Sequence, residues 1–184
     1  MPISISRQVL ALLQFTRFAL VFTAISNALA SMLLRAQRSA GPGESWHDHL
    51  ELRAVLWMTL ASASLYGFGM SLNDIIDRRR DSQIASDRPL PSGRIGVGYA
   101  HAVCGFLMLL AVVSTTMLSR HLPHHGTLTF VLALGVISLI VFYDMAGKYL
   151  VPLGLLSLGL IRFFHAAIPA PTLPMPWHGL LLLN

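Results

Sequence analysis

Five apolar runs, at about residues 18–34, 54–72, 97–118, 128–142 and 150–168, alternate with polar or turn-forming segments along the chain. At about 1.5 Å of rise per helical residue, the first run is just long enough to cross a bilayer, helped by snorkelling of Arg17 and Arg35 at its two ends. The connection at 35–53 is polar and is broken by Gly41-Pro42-Gly43. The second run is uncharged and carries Gly67 and Gly69 near its end, where small residues permit close helix contact. A proline-rich segment, 169–176, ends the fifth run. Trp177 follows like an interfacial anchor, and 180–183 begins a further apolar segment. The pattern predicts an all-α, polytopic transmembrane helical bundle of about five spans plus the start of a sixth. It would form one membrane domain over residues 1–184, expected to be incomplete.

Composition supports that reading. The chain is 54% hydrophobic and 11% charged, with a mean hydropathy of +0.64, which excludes a soluble domain of this size. A net charge of +5 raises nucleic acid as a partner, but the basic residues sit between apolar runs without the aromatic interleaving of a nucleic-acid face. Their distribution instead reports topology. With the N-terminus on one side, that side receives eight basic residues (Arg7, Arg17, Arg78, Arg79, Arg80, Arg88, Arg94 and Lys148). The other side receives four, Arg35, Arg38, Arg53 and Arg120, so the N-terminus and the Asp-rich loop at 73–95 are expected to be cytoplasmic. The first 18 residues lack a compact charged region followed by a small-residue cleavage site, so the first span is expected to be retained. The lone Cys104 lies inside an apolar run, where it reads as a small buried hydrophobe.

Residues 71–95 concentrate the candidate chemistry, holding four of the eight carboxylates. If 72–82 is helical, Asn73, Asp77 and Asp81 recur every fourth position with about 40° of drift, and Asp74 lies about 100° from Asn73. Three carboxylates and an amide on one arc repel each other unless something positive lies between them. Magnesium suits such oxygen donors, being usually held by one or two carboxylates plus substrate phosphates. Spacing alone also admits a solvated, head-group-facing run of mixed charge, since Arg78, Arg79 and Arg80 follow directly. The histidines are weaker signals. His47 and His49 flank Asp48 in a loop, His101 reads as a hydrogen-bonded core residue, and His121, His124 and His125 lack a nearby carboxylate in sequence. Arg162 and His165 lie within the fifth apolar run, where ionisable groups usually face a polar cavity.

The N-D-x-x-D-x-x-x-D spacing, followed by Asp87-Arg88-Pro89-Leu90-Pro91-Ser92-Gly93-Arg94, resembles the first signature of the UbiA family of intramembrane prenyltransferases. Arg17 and Asn27 in the first span and the 143–148 turn, with Tyr143 and Lys148, are also similar to family features and occur in the family's order. Arg162 and His165 resemble an Arg and Asn pair, with His where Asn is expected. The resemblance implies Mg2+ at Asn73, Asp77 and Asp81, with catalytic roles for Asp77, Asp81 and Lys148. It implies substrate binding by Arg17, Asn27, Arg88, Tyr143, Arg162 and His165.

The implied reaction ionises a prenyl diphosphate to an allylic carbocation, which an aromatic or other lipophilic acceptor captures away from water. Family members carry about nine spans and a second Asp-rich motif. This chain resembles roughly the first half, because Asp144 is its only carboxylate after Asp87. A fragment, a second chain supplying the missing half, and a chain without catalysis all remain open. The alternative function is a non-catalytic membrane subunit that binds an isoprenoid diphosphate or a cation. The CDP-alcohol phosphotransferases also use an Asp-rich membrane motif, but their D-G-x-x-A-R stretch is not found.

Overall fold

The computed structural model describes residues 5–122 and 125–171. Among these the chain is entirely helical: α1 (Ile5–Phe15), α2 (Phe18–Ser39), α3 (Leu52–Ile84), α4 (Val97–Arg120), α5 (Gly126–Met145) and α6 (Val151–Ala167), with short 3-10 turns at Trp46–His49 and Gly147–Tyr149. Among the described residues four helices are long and apolar enough to cross a membrane: α2 from Leu20, α3, α4 and α5. The fifth expected span corresponds to α6, which has 17 residues. At about 25 Å it is shorter than a ~30 Å hydrocarbon core. The start of a sixth span and Trp177 lie outside the described residues, as does His124.

Two boundaries differ markedly from the sequence expectation. Residues 73–84, grouped above with the cytoplasmic loop, are the last turns of α3, whose 33 residues rise about 50 Å and so extend well past the hydrocarbon layer. No proline or glycine interrupts 70–88, and the carboxylates are countered by cations from other segments, so helix continues until the turn before Pro89. Helix α2 likewise runs to Ser39 rather than 34, stopping just before the Gly41-Pro42-Gly43 break. Beyond it, Glu44 accepts hydrogen bonds from the Gly41 amide and from His49, which hold its carboxyl below the usual range.

Helix α1, not anticipated from sequence, is amphipathic. It buries Ala11 and Phe15 against Leu90, Ile95 and Ala100 while exposing Val9, Leu10 and Leu13. The turn after α3 is pinned by those contacts. The Ile95 amide donates to the Pro89 carbonyl (3.0 Å), Gly93 takes φ +74°, and Arg94 donates to Gln14 of α1 (2.9 Å) and to the Asp87 carbonyl.

Helix α3 is the hub, contacting α2, α4 and α5. Its Met58, Leu65 and Phe68 form the main core with Met32 of α2, Cys104, Ala111 and Leu118 of α4, and Val136 of α5. The two glycines let the neighbours in closely. A Cβ at Gly67 would sit 3.1 Å from Leu107, and one at Gly69 3.3 Å from Ile140. His101, expected in the core, is exposed on α4 and bonds the Val97 carbonyl (2.8 Å). His121 finds a carboxylate after all, Glu51, 2.9 Å away across a sequence separation of 70.

Candidate active site

Along the last turns of α3 the four oxygen-bearing side chains divide into two pairs. Taking Asn73 as zero, Asp77 lies at about 40°, while Asp81 and Asp74 lie together at about 80° and 100°. Each pair meets its own cation. Lys148 Nζ is 2.8 Å from Asp77 and donates to Asn73 Oδ1 at 3.2 Å. Arg88 Nη1 lies 2.5 Å from Asp81 Oδ2 and 4.0 Å from Asp74 Oδ1, and Arg17 Nη2 is 3.5 Å from the same Asp74 oxygen.

Each cation reaches α3 from a different segment. Lys148 comes from the 3-10 turn between α5 and α6, where Gly147 packs so tightly that a Cβ would stand 3.2 Å from Ser157 Oγ. Arg88 rides on the turn that Leu90 and Ile95 pin to α1. Arg17 is the junction of α1 and α2 and holds a left-handed backbone at φ 48°, unusual for a residue with a Cβ, which separates the two helices. Asp74 and Asp81 are buried, and Lys148 is 10% exposed, so these ion pairs are screened less than surface pairs. Asp74 Oδ1 accepts no hydrogen bond, because its two arginines stand at ion-pair rather than hydrogen-bond distance.

Beside this face a cavity of about 410 Å3 opens among α2, α3, α5 and α6. Leu65, Met70, Val136, Ile140, Leu158 and Ile161 supply apolar wall, and Asn27, Tyr66, Asn73, Tyr143, Asp144, Arg162 and His165 supply polar groups. The buried His165 places Nε2 3.1 Å from Ser62 Oγ. Among the described residues Arg162 makes no ion pair or hydrogen bond.

Of the residues singled out from sequence, Asn27, Asn73, Tyr143, Arg162 and His165 line the cavity. Asp77, Asp81, Arg17, Arg88 and Lys148 form the charged cluster beside it. Asn73 belongs to both groups. So does Asp144, which sequence reasoning left in a turn: it is 2% exposed, lines the cavity and stands 3.8 Å from Lys148. Its signal was a carboxylate ending an apolar run, one helical turn before a lysine. Ser62 carried no comparable signal.

No three His, Cys, Asp or Glu side chains among the described residues are grouped to hold a metal ion on their own. The oxygen-only donor set of α3 still fits magnesium, which needs one or two carboxylates when a substrate's phosphates complete its shell. The unbonded, buried Asp74 Oδ1 is consistent with a further positive partner there.

The family model of the UbiA prenyltransferases matches residues 24–171. A search of curated proteins returns no match. Among solved structures, that of a digeranylgeranylglyceryl phosphate synthase shares the fold with a TM-score of 0.77 at 18% sequence identity, covering 96% of this chain and 57% of that one. This chain thus spans little more than half the length of that protein.

Proposed function

The chain belongs to the UbiA prenyltransferase family, and from that premise we propose that it serves magnesium-dependent transfer of a prenyl group from a prenyl diphosphate to an aromatic or other lipophilic acceptor. The observation that carries this reading is the junction of an acidic helix face with an apolar cavity, joined through Asn73 and Asp144. Asn73, Asp77 and Asp81 would hold magnesium, with Asp74 beside them. The metal, when bound, supplies positive charge to a leaving diphosphate.

The chain's own cations do related work. Lys148 and Arg88, now paired with Asp77 and Asp81, would turn to the oxygens of a diphosphate. The apolar wall gives a prenyl tail a slot and keeps water from an allylic cation. Asn27, Tyr143, Arg162 and His165 offer polar contacts for orienting the acceptor.

The experiment is equilibrium binding of farnesyl diphosphate to the full chain in nanodiscs, with magnesium and with chelator, together with measurement of diphosphate release. Wild type should bind only with magnesium, and Asp77→Asn and Asp81→Asn should each abolish that binding while inserting normally. Equal binding by all three proteins, with and without chelator, overturns the metal assignment. Magnesium-dependent binding that never yields diphosphate, with acceptor present and with the second half of a full-length family member supplied, replaces transferase with the binding-subunit alternative.

A further inference from the structure

Helix α1 carries apolar side chains on two sides. Ala11 and Phe15 pack on Leu90, Ile95 and Ala100. Val9, Leu10 and Leu13 fall within an arc of about 100° on the other side, where they are 50%, 53% and 41% exposed. Aliphatic side chains grouped this way mark a contact surface. The helix lies outside residues 24–171, which the family model matches.

Two independent constraints fix the depth of this surface. Only Thr16 and Arg17 separate α1 from α2, whose membrane span starts at Leu20. On its buried side, α1 shares a cluster with Ile75 of α3. The apolar run of α3, at 54–72, rises about 28 Å and so nearly fills a ~30 Å hydrocarbon core. Ile75 follows Leu72 by three residues, about 4.5 Å further out, within the headgroup layer of about 5–7 Å on each side. Both constraints set α1 at the junction of acyl chains and headgroups.

We propose that α1 docks on lipid, with Val9, Leu10 and Leu13 seated in the acyl–headgroup boundary of the leaflet on the side of the acidic face. Charge agrees with that occupant. Gln14, about 40° beyond Leu10 at the edge of the apolar arc, accepts a hydrogen bond from the exposed Arg94, which puts a cation at the rim where lipid phosphates lie. A protein partner fits less well, because three aliphatic side chains on one short helix fall far below the ~800 Å2 per partner of a stable interface. Seated on lipid, α1 ties to the membrane surface both Arg17, which follows it, and the turn that carries Arg88, which packs on its Phe15 side.

The test needs neither diphosphate nor magnesium. The full chain, with Cys104→Ala, carries a nitroxide on Leu10→Cys, on Leu13→Cys or, as the reference beyond the headgroups, on Gln83→Cys, in nanodiscs of phosphatidylcholine and phosphatidylglycerol. Power saturation reads collisions with oxygen, which concentrates in lipid, and with nickel–EDDA, which stays in water. The oxygen-to-nickel ratio at positions 10 and 13 should exceed that at position 83 by about fivefold or more. A ratio equal to that at position 83 places the face in water, and low collision rates with both reagents place it under protein, a second copy included; either result overturns the proposal. The wild-type chain gives a second reading free of substitutions. Trypsin cuts after Arg7 and Arg17, so peptide 8–17 reports on α1. A phospholipid with a diazirine near the headgroup end of its acyl chain should tag that peptide on illumination. An untagged peptide 8–17 beside a tagged peptide 95–120 from α4 would also overturn the docking.

Discussion

Replacing Lys148 with methionine keeps most of the side chain's length and apolar stem but removes the one cation shared by Asp77, Asn73 and Asp144. Breaking a buried ion pair on one side costs about 3–5 kcal/mol, since a charge is left uncompensated. Lys148 and Asp77 are 10% and 15% exposed, so residual hydration places the cost near the lower end, about 3 kcal/mol. For a chain of this size that is a fall of about 6–12 °C in Tm, measurable by tryptophan fluorescence on heating in a fixed detergent. Asp77→Asn should cost less, because Lys148 keeps Asp144 and Asn73 as partners. The double variant should be less destabilised than the sum of the two by about 1 kcal/mol or more, as residues in one network are coupled. Strict additivity, or a larger loss from Asp77→Asn than from Lys148→Met, would refute the arrangement in which Lys148 bridges α3 and α5.

Two further outcomes test the frame around the site. Single cysteines at Ser82 and Gly41, at opposite ends of the α2–α3 hairpin, should label from opposite sides of the membrane with Ser82 cytoplasmic; labelling of both from one side would rule out this topology. A Cβ at Gly126 would fall 2.3 Å from the Ser119 carbonyl oxygen, whereas one at Gly135 meets nothing within 4 Å. Gly126→Ala should therefore lower stability by about 1–3 kcal/mol, while Gly135→Ala in the same helix should be neutral or stabilising by up to about 1 kcal/mol, both read as Tm shifts under identical conditions.

What was legible in the sequence was what hydropathy and helical spacing encode. The apolar runs marked α2 to α6, and the four-residue recurrence of Asn73, Asp77 and Asp81 placed them along one side of a helix. Spacing did not reveal that this side divides between two cations, because the assignment of Lys148 to Asp77 and of Arg88 to Asp81 depends on how α5 and the 85–96 turn approach α3. Helix α1 escaped notice because its apolar positions share 11 residues with Arg7, Gln8 and Gln14, too short and too polar to resemble a span. The Ser62–His165 and Glu51–His121 contacts join residues 103 and 70 positions apart, and no periodicity within one helix can report them.

Charge balance connects the metal proposal to the observed pairing. Asp74, Asp77, Asp81 and Asp144 face Arg17, Arg88 and Lys148, so four carboxylates against three cations leave one net negative charge. In that state the cluster is nearly neutral, which is why four carboxylates can share the end of two membrane helices. A diphosphate of up to three negative charges arriving alone would meet a site of its own sign, whereas magnesium arriving alone would compete with Lys148 and Arg88 for carboxylates they already hold. Arriving together, the two resolve both problems. On the proposed function, the α3 carboxylates would hold the metal, and the ammonium and guanidinium freed from them would meet phosphate oxygens instead. The same accounting explains why the proposed site combines acidic and basic residues at such close range. Its cations hold the acidic face together, and on the proposed function they would be the groups to meet the substrate's anion.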